Sequence, residues 1–365
     1  MALRYFVPGG TNTWISGSNT NWSDTSGGAG GLSFPQQNDD VIFDTNSGSV
    51  INLSGTGQCR SIVATTFTGT FQGGTNLQVV GSNTGLQNSG KSIEWGAGMT
   101  YSYAGQYTVT TTNGSGSINF NGKTHGAGLI SLNAGTTNHP ISVWNLLNPI
   151  TTGGQITLAA GTLNTNNYNI TCTRFDFGNN ALTKIANFGT SVITLTIAGG
   201  AMFNNPSTGG LVINGTYTIR YNGIGSSTLS FFGGGATFYN VEFIRGSSTA
   251  QLTITGNNTF RSFTITSTAA HTVSFATGST QTFENFNVSG ASTSARISLA
   301  GSAGATVFFV KTGAGPVVCD YLNLNTNITS VTPANTWYAG YNSIGTGTGW
   351  VLRNPAGLLL MGVGG

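Results

Sequence analysis

Three segments of the chain share one form: Thr237-Phe238-Tyr239-Asn240-Val241, Thr259-Phe260-Arg261-Ser262-Phe263 and Thr282-Phe283-Glu284-Asn285-Phe286. Their leading phenylalanines are 22 and 23 residues apart. A bulky apolar side chain returning at such an interval marks a stack of like units. One unit cannot bury its apolar face alone, so its neighbours must cover it. Between these segments apolar residues alternate with Thr, Ser and Asn, as in Leu252-Thr253-Ile254, Val273-Ser274-Phe275 and Ile297-Ser298-Leu299, and each run is bounded by Gly or Asn. That is the pattern of short strands with one face inward.

Composition narrows the choice further. Charged residues make up 6% of the chain, and it holds only three Glu and four Lys, so the side chains that favour exposed helix positions are scarce. The 56 glycines do not recur at every third position, as Ile193-Thr194-Leu195-Thr196-Ile197 shows, which excludes a collagen helix. An aromatic content of 10% supplies enough apolar surface to build a core and argues against disorder. The expected fold is all-β, a right-handed parallel β-helix in which like residues stand above one another about 4.8 Å apart. Glycine and asparagine serve its corners because both tolerate positive φ. Residues 1–44 are assigned to an N-terminal cap or attachment segment, 45–330 to the helix, and 331–365 to a C-terminal cap with an apolar tail. At this period the middle segment would supply about 13 coils over about 60 Å.

The cysteines fit the same scheme. Cys59-Arg60-Ser61-Ile62, Cys172-Thr173-Arg174-Phe175 and Cys319-Asp320-Tyr321-Leu322 repeat an apolar-x-x-apolar box, with Cys where other coils carry Phe, and Trp144-Asn145-Leu146-Leu147 is read in the same way. Each cysteine is therefore expected to be a small core residue.

Twelve basic and nine acidic residues, scattered along the chain, make no basic stripe for nucleic acid. No window approaches the about 20 apolar residues that span a bilayer, and the first residues lack a secretory apolar segment, so synthesis in a cytosol is expected. Chemistry is thinly provided. Glycoside hydrolysis needs two facing carboxylates, and the best repeat-related pair is Glu284 with Asp320. A surface charge ladder of Arg261 and Glu284 explains the first of these more simply. The run Asn38-Asp39-Asp40-Val41-Ile42-Phe43-Asp44 lacks the ligand spacing of a calcium loop, and Asp39 or Asp40 is read as capping a turn while Val41, Ile42 and Phe43 enter the first strand. His125, His139 and His271 lie apart from one another and from cysteine, so no zinc spacing arises, and each is read as a surface or corner residue. Thr264-Ile265-Thr266 suggests an ice-binding face, but the neighbouring coils read Asn287-Val288-Ser289 and Glu242-Phe243-Ile244, which breaks the lattice.

Two terminal stretches carry a family resemblance. Arg4-Tyr5-Phe6-Val7 with Gly9-Gly10, Asn21-Trp22-Ser23-Asp24, Ser26-Gly27-Gly28, Pro35 and Asp40-Val41-Ile42-Phe43-Asp44 make up the first. Asn335-Thr336-Trp337-Tyr338-Ala339-Gly340, Asn342-Ser343 and Gly349-Trp350 make up the second. Together they resemble the ends of glycine-rich β-helical structural proteins of tailed bacteriophages. The resemblance implies a virion component of appendage, tail-fibre or capsid-decorating type, homo-oligomeric and often trimeric, made in the host cytoplasm and without a cofactor. On this reading the chain is no enzyme, and its partners are other capsid or tail proteins, with neither nucleic acid nor membrane among them. Trp337, Tyr338, Tyr341, Trp350, Leu358, Leu359, Leu360 and Met361 are the expected contact residues, because aromatic and apolar clusters beyond a solenoid mark interfaces. The competing reading is a host-glycan binder or depolymerase of tailspike type, in which outer aromatics such as Tyr239 stack on sugars.

Overall fold

The computed structural model describes residues 2–7, 12–15, 21–81, 90–111, 114–134, 142–206, 210–223, 225–304, 306–325, 329–334 and 336–352. Among them the structure is all-β, with parallel strands stacked as a solenoid and a single 3-10 turn at Ser302–Gly304. The chain divides into two compact units. Unit one is Met1–Ser191 with Ser207–Gly215, and unit two is Val192–Pro206 with Thr216–Gly365.

Unit one holds a ten-stranded sheet that begins with Leu3–Phe6, parallel to Asp40–Ile42. The strand Trp22–Ser23 runs antiparallel to Leu3–Phe6 and closes that edge. Within the N-terminal segment, therefore, Leu3–Phe6 and Asp40–Ile42 already belong to the parallel stack. Rings from several coils gather behind it: Phe43 lies 5.9 Å from both Trp14 and Phe71, and Phe71 stacks on Trp95 at 4.9 Å.

Vertical register produces the inner columns. Cys59, Val79, Val109, Leu132, Leu158 and Phe177 are paired in succession, and all are buried. A second column runs Val41, Ile62, Ile93, Ile118, Leu146. On the outer face of the same sheet, amides replace hydrocarbon. Asn164 donates to Asn145 Oδ1 at 2.8 Å, Asn187 to Asn164 at 2.7 Å, and Asn214 to Asn187 at 2.8 Å. Asn164 and Asn187 thus each give one bond and receive one along the stack. Replacing Asn164 with alanine removes two such bonds at once and should lower the stability of unit one by about 1–3 kcal/mol, at about 0.5–1.5 kcal/mol each. Urea unfolding checks this, with the exposed end residue Asn214→Ala expected to cost less. The sheet ends at Leu211–Gly215, where Val212 is 45% exposed.

Unit two carries the phenylalanine period. Phe238, Phe260 and Phe283 are in register, and their rings stack at 5.5 Å with interplanar angles of 22° and 13°. Leu229, Leu252, Val273, Leu299 and Leu324 form a parallel aliphatic column. The corners follow the expected chemistry, since among the described residues four of the six non-glycine positions with positive φ are asparagines: Asn121, Asn166, Asn167 and Asn342. At Gly73, with φ of 133°, a side chain would stand 2.4 Å from the Leu53 carbonyl of the coil beneath, so only glycine fits.

The cysteine boxes differ from expectation. All three thiols are buried, but they occupy separate sheets and do not continue the Phe238–Phe260–Phe283 column. Cys59 stands on Val79 and Cys319 on Ala339. Each cysteine ends one strand, and the next strand starts beyond a one- or two-residue corner, as in Gly57–Cys59 followed by Ser61–Ala64. The phenylalanine boxes instead lie inside single long strands such as Thr259–Ser267. A bend within a strand and a corner between strands both turn residues three apart inward, so one sequence pattern serves two positions on the coil. Trp144-Asn145-Leu146-Leu147 is neither, because strand alternation buries Trp144 and Leu146 and leaves Leu147 40% exposed.

Candidate partner-binding surface

In unit two the strands Val317–Cys319, Trp337–Ala339 and Trp350–Leu352 form a three-stranded parallel sheet. Alternation along a strand sends successive side chains to opposite faces. Val317, Trp337 and Trp350 are in register and face inward. Trp337 is fully buried against Phe286 at 5.4 Å and Phe309 at 5.8 Å, and Trp350 covers it edge-on at 5.2 Å. These two tryptophans, expected as contact residues, complete the core instead, because their positions fall on the inward phase of the strands.

The outward phase carries Val318, Tyr338 and Val351 in register. Val318 is 54% exposed, and Tyr341, Ile344 and Leu352 nearby in sequence are each about half exposed. Tyr341 is held in place: its amide donates to Asp320 Oδ1 at 2.8 Å, and its ring meets Tyr321 edge-on at 5.4 Å. Tyr338 also lines a shallow groove with Lys311, Thr312, Pro316, Pro333 and Thr336. The Lys311 ammonium donates to the carbonyls of Gly313 and Ala314, which occupies its charge. Of the expected contact residues, then, Tyr338 and Tyr341 reach the surface. Leu358, Leu359, Leu360 and Met361 lie outside the described residues. Sequence reading missed Val318, Ile344 and Leu352, although the alternation in Val317-Val318-Cys319 marks Val318 as outward once Cys319 is taken as core.

Eight of the nine carboxylates are engaged in structure, and the ninth, Asp24, is exposed. Six have a basic partner: Asp39 with Arg4, Asp40 with Arg60, Glu94 with Lys91, Asp176 with Arg174, Glu242 with Arg220 and Glu284 with Arg261. Arg261 and Glu284 make the surface ladder read from the repeat, 3.6 Å apart with both side chains 47% exposed. Asp320 is not stacked on Glu284; its amide bonds Ser289 Oγ at 3.0 Å, five positions further along the coil. Asp39 Oδ2 caps the turn at Gln36 at 3.1 Å, as read from the sequence, and Asp44 Oδ1 accepts from the Asn46 amide at 2.8 Å. Asp40 does more than cap. It is fully buried, accepts from Arg60 and takes the Ser61 hydroxyl at 2.6 Å, which makes an inner ion pair one coil wide that sequence reading did not foresee. No family model, curated protein or solved structure matches the chain.

Two of the three histidines are not surface residues. His125 and His271 are buried, and His139 lies outside the described residues. His125 Nδ1 faces the Tyr101 hydroxyl at 2.9 Å, which in turn is 2.9 Å from that of Tyr107. Burial lowers the His125 pKa from 6.5 to about 4 and raises those of Tyr101 and Tyr107, so all three are neutral at pH 7. The thiols are pushed up too, to about 12 for Cys172 and Cys319, mainly by burial. Such thiols are poor nucleophiles and poor metal ligands. Tyr239, the outer aromatic considered for sugar stacking, already has the Arg261 guanidinium over its ring at 4.3 Å.

Proposed function

We propose that this chain is a non-enzymatic structural subunit of a bacteriophage particle, an exterior β-solenoid of appendage, decoration or tail-fibre type. In this reading the outward strip of Val318, Tyr338 and Val351, with Tyr341, Ile344 and Leu352, meets a neighbouring subunit. Its copies associate, with a trimer favoured, and it is made in the host cytoplasm. The observation that carries the reading is this apolar strip on the last described strands, in a chain eight of whose nine carboxylates are committed to ion pairs, caps or backbone bonds. The resemblance of both ends to phage structural proteins supports it independently.

Light scattering of the purified chain tests the association. Val318→Asp with Tyr341→Asp should weaken it at least about tenfold, as expected for residues central to an interface, while leaving the circular dichroism of the sheets intact. A chain that is monomeric at all concentrations, or a double variant that associates unchanged, overturns the role of the strip. Immunogold labelling of purified particles with antibody to the chain tests the virion assignment, and absence of label from intact particles refutes it. The glycan reading would be restored by a fall in host polysaccharide size that Glu284→Gln or Asp320→Asn abolishes.

A further inference from the structure

The ten-stranded sheet of unit one is closed at one edge by Trp22–Ser23 and stays open at the other. Its last strand, Leu211–Gly215, pairs with Lys184–Gly189 on one side, and no described strand pairs with its other side. At five residues it is longer than any other strand that ends a sheet among the described residues. The Lys184 amide donates to the Gly210 carbonyl. Main-chain groups alternate in direction along a strand, so Gly210, Val212 and Asn214 face Lys184–Gly189, while the N–H and C=O of Leu211 and Ile213 point away from it. Among the described residues no bond to these four outward groups is found.

The side-chain columns stop short at the same place. Trp144, Leu163, Ala186 and Ile213 stand in one inner column. The first three are buried, whereas Ile213 and its inward neighbour Leu211 are only half-buried. On the outer face Val212 is 45% exposed and stands in register with Ile185. The edge therefore offers free main-chain bonds flanked by apolar side chains on both faces, and a strand that completes it must be apolar in both phases. Strands such as Leu252–Thr255 alternate apolar residues with threonine and suit one buried face only. The run Leu358-Leu359-Leu360-Met361-Gly362-Val363, outside the described residues, differs: Leu359, Met361 and Val363 occupy one phase, and Leu358 and Leu360 the other.

We propose that residues 358–363 of one copy add as a strand to the Leu211–Gly215 edge of a second copy. Leu359, Met361 and Val363 then cover Leu211 and Ile213, and Leu358 and Leu360 lie beside Val212. Main-chain bonds supply affinity in such an addition, and the alternate side chains supply register. Donor and acceptor are different surfaces, so the contact runs head to tail and can close a ring of three, which the pairing of two identical edges cannot. The inference rests on the self-association in the reading above, and is independent of the particle assignment and of the strip around Val318.

Disulfide trapping between two full-length chains tests the proposal. One chain carries Val212→Cys and the other Leu360→Cys, so the two new thiols can meet only between copies, and the three native thiols are buried. Under mild oxidation the mixture should form a covalent dimer at least about tenfold faster than either chain alone, because docking raises the effective concentration of one thiol at the other. Ile213→Pro in the first chain should abolish that gain. It removes an outward N–H and no bond within the sheet, so the circular dichroism should be unchanged. Ending the chain after Ala356 should weaken association in light scattering at least about tenfold. A mixture no faster than the single chains, a gain that survives Ile213→Pro, or association unchanged by the truncation would each overturn the proposal. So would equally fast trapping of the Val212→Cys chain alone, which would mean that edge pairs with edge. Association lost on truncation but kept in the Val318→Asp, Tyr341→Asp variant supports this contact and removes the strip, and the converse pattern does the reverse.

Discussion

Replacing Phe260 with alanine is expected to lower the stability of unit two by about 3–5 kcal/mol, the range for removing a buried aromatic side chain. Phe260 is fully buried and is sandwiched by Phe238 below and Phe283 above, with Phe263 5.0 Å away in its own coil. In a stacked protein, stability is the sum of unit terms and nearest-neighbour interfaces. Truncating a middle ring therefore damages two interfaces, while truncating an end ring damages one. Trp350→Ala, which removes a ring that meets Trp337 edge-on and keeps 9% of its surface exposed, should cost less than Phe260→Ala despite the larger side chain. Chemical denaturation of the two variants decides the matter. If Trp350→Ala proves the more damaging, the rings do not act as a column.

The second large effect is a loss of stability in mild acid. Burial lowers the pKa of His125 in the folded chain from the ordinary 6.5 to about 4. The unfolded chain therefore takes up the proton first as pH falls. Its contribution is complete above about pH 6.5 and is lost progressively down to about pH 4, below which it changes no further. At 1.36 kcal/mol per pKa unit the loss from this one group is about 3 kcal/mol. Geometry gives the reason. The ring lies among Tyr103, Tyr107 and Phe120, with centroid distances between 5.0 and 6.3 Å, and Nδ1 accepts from Tyr101 when neutral. Charging it would place an unpaired cation among aromatic rings and turn that acceptor into a donor. His125→Gln keeps an acceptor for Tyr101 but cannot titrate, so its unfolding free energy between pH 6.5 and 4 should fall by about 3 kcal/mol less than that of the parent. Parallel pH profiles for the two would show that His125 is not the cause.

The parallel stack was legible because Phe238, Phe260 and Phe283 repeat both their size and their place in the coil. Where the structure departs from the sequence reading, the period was right and the position on the coil was not. Cys59, Cys172 and Cys319 share a local pattern with the phenylalanines, yet corners between strands and bends within them produce the same spacing. His125 looked like a surface residue because its polar partner comes from Tyr101, in a different coil. The Asp40–Arg60 pair is one coil apart and so follows from the period itself, but only once Asp40 is known to point inward. Trp337 and Trp350 were taken for interface residues from their aromatic character alone. The simple rule of alternation, applied to Trp337-Tyr338-Ala339, separates the buried ring from the exposed one.

The short strand Trp22–Ser23 limits how copies of this chain can polymerise. An open parallel sheet edge is a template on which another chain can extend the ladder. Here the first long strand, Leu3–Phe6, is already occupied by a two-residue neighbour of opposite direction, whose Trp22 ring is turned into the core and whose indole N–H is held by the Trp14 carbonyl at 2.9 Å. Two residues offer too little ladder to seed a further strand. With Tyr5 and Phe6 taken up in this way, this edge is a poor template for strand addition.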